Sequence, residues 1–385
     1  MIVVLGATLT GMAAAARLAR VGHRVVILDQ AEGPHDLLPS PVDADDTTVT
    51  LPAAWRDLFR KSGRPLDAEL ARHRLALTPA PPAVHQLPGG DELLLPSDRA
   101  GQWHTLVDSL GAEVAATWRD LLDRLDTSWL ALRPLGVEAE LVTTRLDRAT
   151  RQALRPQESL ADLARLAGPE LGGLFTGLAL RRDSDPRQAP GWLGTRLSIE
   201  RTFGRWQLTD PDGVPQPTAR LADLLVQRIA DRGVSVRWST RAERVAPGLV
   251  DTRDGSLACR AVLVTLDPWQ HRDLVGRADR EWAAPLRRLH PAATGGPRWE
   301  GWQTILRLPR LRTGLPGVYH ASAFSPAGPE PWAQLLTGAL AAYRVHEDLT
   351  GQDMRPTNKL WRRPGQARTH SLDEASLPDA VGRSS

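Results

Sequence analysis

The feature that most constrains this chain is its first thirty residues. Ile2-Val3-Val4-Leu5 is a short apolar run of buried-strand type, and Gly6-Ala7-Thr8-Leu9-Thr10-Gly11 turns the chain. Met12 to Arg20 is Ala-rich and helical, and its small side chains let a helix lie close on a sheet. Gly22 ends it, and Arg24-Val25-Val26-Ile27-Leu28-Asp29 is a second apolar run closing on a carboxylate. The order is β-α-β, the start of a doubly wound α/β domain. The glycines have a mechanical logic. The first makes the tight strand-to-helix turn, the second lets backbone approach a pyrophosphate, and the third lets helix pack on strand. A pyrophosphate then sits at the helix N-terminus, where free N–H groups and the dipole favour anions. Gly6, Gly11 and Asp29 fill three of the four roles, Asp29 being the acid that holds ribose hydroxyls, whereas the middle glycine is Thr8. These residues fit equally a cofactor site and an α/β domain that merely packs this way.

The 385 residues amount to two or three domains at roughly 150 residues each. Hydrophobic residues at 42% and charged residues at 24% exclude wholesale disorder. Cationic and anionic residues nearly cancel at 48 and 45, the arginines are scattered, and only Lys61 and Lys359 are lysines, which argues against a nucleic-acid partner. The single cysteine, Cys259, excludes an internal disulfide and a thiolate zinc site; it reads as a small buried hydrophobe. No apolar run has the roughly 18 residues of a membrane span. No basic leader precedes the first apolar stretch, so the expectation is a soluble cytoplasmic protein, with peripheral contact at a membrane surface left open. Thirteen Trp against two Tyr and four Phe suit core, domain-seam and apolar-cavity positions.

The remaining pattern divides the chain. Residues 1–50 form the first part of the dinucleotide-binding domain, with a Pro- and Asp-rich loop from Ala31 to about Asp46. Residues 51–200 form an inserted, mainly helical substrate domain. There Ala83–Leu87 and Glu92–Leu95 read as a hairpin around Gly89-Gly90. Ser97 reads as the cap of a helix running to Leu110, and Glu113–Leu132 and Ser159–Leu166 are further helices. The dinucleotide domain resumes over 201–275, with a helix through Leu221, Leu224, Leu225 and Ile229 stopped by Gly233. Strands Val234–Trp238 and Ala261–Leu266 follow. Residues 276–315 return to the substrate domain, with Arg298–Leu308 expected as a strand. Residues 316–350 close the fold with a helix from Trp332 to Leu349, and 351–385 are expected to be a mobile tail. No Walker loop, G-x-S-x-G elbow or H-E-x-x-H motif occurs. His346-Glu347-Asp348 has no second His at ligand spacing, so no metal site is expected.

Taken together, these segments resemble the phytoene desaturase-like branch of the FAD-dependent oxidoreductases, within the amine-oxidase superfamily. Thr47 to Phe59 resembles the segment after that family's D-x-G-P turn, and Phe203-Gly204-Arg205-Trp206 its F-G-x-W stretch. Gly233 to Val245 is similar to the strand whose backbone meets adenine near Ala242. Ala261 to Pro268 is similar to the V-V-x-N-x-D-P strand end, and Gly317 to Leu340 to the closing flavin segment. The likeness covers about residues 1–350. It implies FAD held by Gly6, Ala7, Thr8, Leu9, Gly11, Asp29, Gln30, Ala242, Ser322, Gly328, Trp332 and Ala333, and a lipophilic, possibly polyene, substrate oxidised by hydride transfer to flavin. No single catalytic side chain is implied. The departures cluster where a flavin would lie: Thr8, His35-Asp36-Leu37, Asp43 to Asp46, Gln216-Pro217 and Pro326 to Pro329. Two other readings therefore stand beside the enzyme. One is a flavin-free homologue acting as a binding or assembly partner, and the other an NAD(H)-binding protein, since Asp29 repels a 2′-phosphate.

The β-branched Thr8 stands where backbone should touch pyrophosphate. Thr8→Gly is expected to raise the flavin bound per chain after dialysis against excess FAD, read by absorbance. A fall would instead make the hydroxyl a working phosphate ligand.

Overall fold

A computed structural model describes residues 1–34, 47–142 and 145–355. Expectations for His35 to Asp46, including Asp45-Asp46, and for the tail beyond Arg355 lie outside the described residues. Strand β1 (Ile2–Leu5), helix α1 (Leu9–Arg20) and strand β2 (Val25–Leu28) form the expected unit. They nucleate a five-stranded parallel sheet in the order Val318–His320, Ala261–Val264, β1, β2, Ser235–Arg237. The three central strands are buried at every position, as in a parallel sheet covered on both faces. Alternation assigns the faces. Ile2, Val4, Val25, Ile27, Ala261 and Leu263 pack against helices, while Val3, Leu5, Val26, Leu28, Val262 and Val264 pack on the other side with Val245 and Val250 of a three-stranded antiparallel sheet.

On the helical face α1 crosses the helix Pro331–Thr350 at very short range. A Cβ on Gly338 would stand 2.5 Å from Thr10 O and 3.0 Å from Ala13 Cβ, so the crossing admits no larger residue. The Thr10 hydroxyl donates to Gln334 O (3.3 Å) beside it. Further along, Arg17, only 2% exposed, donates to Asp57 Oδ2 (2.8 Å) on helix Ala53–Ser62 and lies over the Tyr343 ring. Burial raises the Asp57 carboxyl, but Arg17 and Arg60 outweigh it and hold the group below its ordinary range.

Between β2 and Ser235–Arg237 the chain builds a second layer. Thr48–Thr50, Arg205–Thr209 and Ala76–Pro79 pair antiparallel, and the hairpin Ala83–Gln86/Glu92–Leu95 forms as expected. The helices Arg99–Leu110, Ala112–Leu132 and Leu160–Leu180 surround a separate apolar core containing Trp118, Leu122, Leu163, Phe175 and Trp192. Asp98, not Ser97, caps the first of them, its carboxylate accepting from Gly101 N–H (2.7 Å); the charged oxygen suits the helix N-terminus better than a hydroxyl. Ser159 caps the last in a reciprocal box with Asp162. That helix kinks at Gly168-Pro169, close to its expected end, and then continues to Leu180. The expected strand Arg298–Leu308 is absent. Gly301 turns the backbone at φ +106°, and Thr304 and Ile305 are the buried residues of a short helix, Thr304–Arg307, with Leu308 extended and buried just beyond it.

Below the sheet's edge strand lies a cluster of buried imidazoles. His271 is fully buried, 4.3 Å from the Trp282 ring and 5.2 Å from His320, and neither of its ring nitrogens has a hydrogen-bond partner. Burial pushes His271 down to about 4, and burial plus the neighbouring His271 drives His320 well below its ordinary value. A depressed His binds its proton more readily unfolded, so stability is whole above the unfolded value and falls as pH drops toward the folded one. Between pH 7 and 5 His271 alone should remove about 2 kcal/mol of stability. His271→Leu is expected to flatten that part of the urea-unfolding profile; an unchanged slope would assign it to other groups.

Candidate functional site

The carboxyl ends of β1, β2 and Ala261–Val264 converge on the glycine turn. Gly6 takes φ +101°, with Leu266 and Thr265 packed where a side chain would be. Ala7 is buried and Leu9 starts α1. Gly11 lies so close beneath Gly6 O that a Cβ there would collide with it. Thr8 does not take a positive φ. At φ −71° and ψ 165° it is the N-cap of α1, its Oγ1 accepting from Gly11 N–H (3.1 Å) and donating to Thr265 Oγ1 (3.0 Å). The obstacle it poses is thus not backbone strain. Its hydroxyl engages one of the helix-terminal amides that an anion would otherwise use.

Asp29 projects from the end of β2 back over this turn. Its Oδ2 accepts from Ala7 N–H (2.5 Å) and its Oδ1 from Ala31 N–H (2.8 Å), so both carboxylate oxygens are oriented by backbone. Thr240 N–H donates to Asp29 O (2.8 Å) and ties the segment before the strand Ala242–Ala246 to the same place. Asp29, Gln30 and Ala242 together line a cleft of about 450 Å³, with Leu5, Leu28, Leu266 and Leu274 as its apolar wall and Arg241 and Arg253 at its mouth. The cleft is large enough for a nucleoside, and it offers what one needs: an apolar slot beside a carboxylate.

The other expected residues lie on the connection from Val318–His320 to the last helix. Ser322 is buried and shares a hydrogen bond with His320 Nε2 (2.9 Å). Gly328 turns the loop at φ +98°. Trp332 and Ala333 occupy the first turn of Pro331–Thr350 and are buried, and no side chain caps this N-terminus. Its first amides therefore have no side-chain acceptor, in contrast to those of α1. Just ahead of it Glu330, 1% exposed, pairs with Arg182 and with Arg196 Nη1 (2.9 Å). Burial raises the Glu330 carboxyl, and the two guanidinium groups reverse that and hold it below the ordinary range. Trp129 meets the Trp332 ring edge-on at 5.9 Å, and Arg196 lies over its face.

The geometry thus makes two groups of the twelve expected residues. Gly6, Ala7, Thr8, Leu9, Gly11, Asp29, Gln30 and Ala242 surround the turn and cleft. Ser322, Gly328, Trp332 and Ala333 border the N-terminus of the last helix, which the Thr10–Gln334 contact holds beside α1. Sequence reasoning missed Thr265, whose hydroxyl lies 2.9 Å from both Leu5 O and Gly6 O and braces the turn; its place just past the strand Ala261–Val264 was the available signal. It also missed Arg182, Arg196 and Glu330, which are far apart in the chain and follow no motif. Among the described residues no group of metal-binding side chains occurs, and no helix is long and apolar enough to cross a membrane.

Comparison with known proteins bears on the fold and the family. No family profile matches the chain. A hydroxyneurosporene desaturase of Cereibacter sphaeroides is 30% identical over 373 residues, covering 91% of this chain and 70% of the relative. A second hydroxyneurosporene desaturase, from Rhodobacter capsulatus, is 28% identical over 304 residues, covering 72% of this chain and 59% of its own length. Among solved structures, cyclohexylamine oxidase from Brevibacterium oxydans superposes with a TM-score of 0.53 at 13% identity, covering 90% of this chain and 99% of that one, which supports the fold. With a shared fold and 30% identity across most of both chains, this chain belongs to the phytoene desaturase-like FAD-dependent oxidoreductases, a family of enzymes.

Proposed function

We propose that the protein is a carotenoid desaturase-type oxidoreductase that binds FAD and oxidises a lipophilic polyene. The observation that carries the reading is the cleft at the ends of β1 and β2, with Asp29 oriented by two backbone amides at its edge. In a doubly wound sheet, ligands bind outside the carboxyl ends where strand order reverses, here between β1 and Ala261–Val264. Asp29 would hold the ribose, Ala242 would border the adenine, and Gly6 and Gly11 would let the pyrophosphate approach. The first-turn amides of Trp332 and Ala333 would meet the electron-rich edge of the ring, where a helix N-terminus favours negative charge. Bound there, flavin supplies the two-electron acceptor that a saturated carbon–carbon bond needs.

The chain's own part is orientation and exclusion of water. Trp129, Trp192, Trp299 and Trp332 form an apolar wall beside the helix N-terminus, suited to a conjugated hydrocarbon. No side chain need act as an acid or base beyond holding the substrate in register. A substrate of this kind partitions into lipid, so the reading includes transient contact with a membrane surface.

Asp29→Ala should weaken FAD uptake about ten- to hundredfold, the scale of a hydrogen bond to a charged group, read by titrating FAD fluorescence. An unchanged titration in a variant that still binds FAD removes Asp29 from the site. Wild-type protein that is colourless and refuses added FAD would overturn the enzyme reading in favour of a flavin-free partner protein.

A further inference from the structure

We propose that Arg280, Arg287, Arg288, Arg307 and Arg310 form a docking surface for an anionic lipid bilayer, on the outer side of the segment that helps to wall the Trp-lined cavity. The choice of lipid as the partner rests on the polyene reading above; the surface itself does not.

Positive charge is concentrated in this part of the chain. Residues 276–315 carry eight arginines against three acids, a balance of +5 in a chain whose whole balance is +3, so the remaining residues together are net negative. Two of the three acids are engaged within the segment: Asp279 is buried and accepts from Gly314 N–H (2.9 Å), and Glu300 lies against His290 Nδ1 (2.8 Å). Arg312 pairs with Asp348. The guanidinium groups of the five arginines named have no carboxylate or hydrogen-bond partner among the described residues. Packing turns these five away from the interior. Trp282, Leu286, Leu289, Ile305 and Leu308 all belong to one apolar core. Ala284–Arg288 packs on Thr304–Arg307, and the Trp282 indole N–H donates to Arg310 O (2.9 Å). Arg280, Arg287, Arg288 and Arg310 are left exposed, and Arg307 half-buried. A solvated face ordinarily mixes both signs, whereas a field of one sign draws in the opposite charge.

Two observations favour a bilayer over a polyanion. Trp302 and Leu306 are half-buried and Leu306 adjoins Arg307, so apolar side chains lie among the cations as they do at a membrane interface. The same segment also reaches inward. Trp299, 2% exposed, walls the Trp-lined cavity, and Pro309 and Leu311 line a second cavity beside Ser322. A bilayer seated on the arginines therefore lies next to the wall where the polyene reading puts the hydrocarbon. Each arginine near an anionic surface strengthens binding about fivefold, and the attraction fades beyond a Debye length of about 8 Å in physiological salt.

The test is co-sedimentation of the purified full chain with vesicles of phosphatidylcholine, alone or with one-third phosphatidylglycerol. Wild type should bind the anionic vesicles about tenfold more tightly or better, and added salt should release it. Arg287→Gln, Arg288→Gln and Arg310→Gln combined should weaken that binding about a hundredfold. The same three changed to Lys should retain it, because attraction to a charged surface needs the charge and not the planar fork. Arg20→Gln, Arg24→Gln and Arg237→Gln combined remove equal charge from exposed positions of the nucleotide domain and should leave binding within about twofold. Equal binding of the two vesicle types, equal loss in both Gln triples, or a wild type held by heparin but not by anionic vesicles overturns the surface. Uptake of a polyene from detergent micelles is measured in parallel on wild type. Its failure while vesicle docking persists overturns the polyene reading and leaves the surface standing.

Discussion

The crossing of α1 with the helix Pro331–Thr350 is the contact on which the site depends. It joins the first twenty residues to the last described helix, and it is possible only because Gly338 and Ala13 leave room for two backbones to approach. Interiors are close-packed, so a gap or an added methyl group at such a crossing moves everything attached to it. What is attached here are the two helix N-termini, one below the glycine turn and one beside the Trp-lined cavity. Their separation is set by this contact and by the Thr10–Gln334 hydrogen bond, not by the loops between them.

Buried charge holds the outer layer to this frame. Arg17 links α1 to helix Ala53–Ser62, and Arg182 reaches Glu330 across 148 positions of sequence. Arg228 meets Glu69 at 2.6 Å in the same way, joining Ala219–Asp231 to Leu66–Arg72. Taking an ion pair out of water is costly, and such pairs add little net stability compared with apolar packing. They do penalise misplacement, since Arg17, Arg182 or Arg228 would each be a buried cation without its carboxylate. Three such pairs therefore serve mainly to specify how the inserted helices seat on the sheet.

Legibility followed the range of the interactions. The β-α-β unit was visible because its signals are local: apolar runs, a glycine turn and an acid, within thirty residues. The Asp29 side chain reaches the turn as that spacing implied. Thr8 was visible as a departure from the glycine pattern, but its place as the N-cap of α1, at a negative φ, follows from the turn's dihedrals and not from residue type. Arg298–Leu308 was misread because scattered apolar residues look like a strand, whereas Gly301 turns the backbone at a positive φ and a single helical turn, Thr304–Arg307, follows. Ser97 and Asp98 are neighbours with the same capping chemistry, and only the helix's first turn chose between them.

By itself the sequence determined the β-α-β start of the doubly wound core, because its residues lie close together in the chain, and the family, because its resembling segments keep their order along residues 1–350. Tertiary structure alone decided that Thr8 caps its own helix, that the last helix keeps an uncapped buried N-terminus, and that Arg182, Arg196, Glu330 and Trp332 share one cavity. Those residues come from separate elements with no spacing between them to read. Their meeting is a consequence of how the helices pack, which no local pattern encodes.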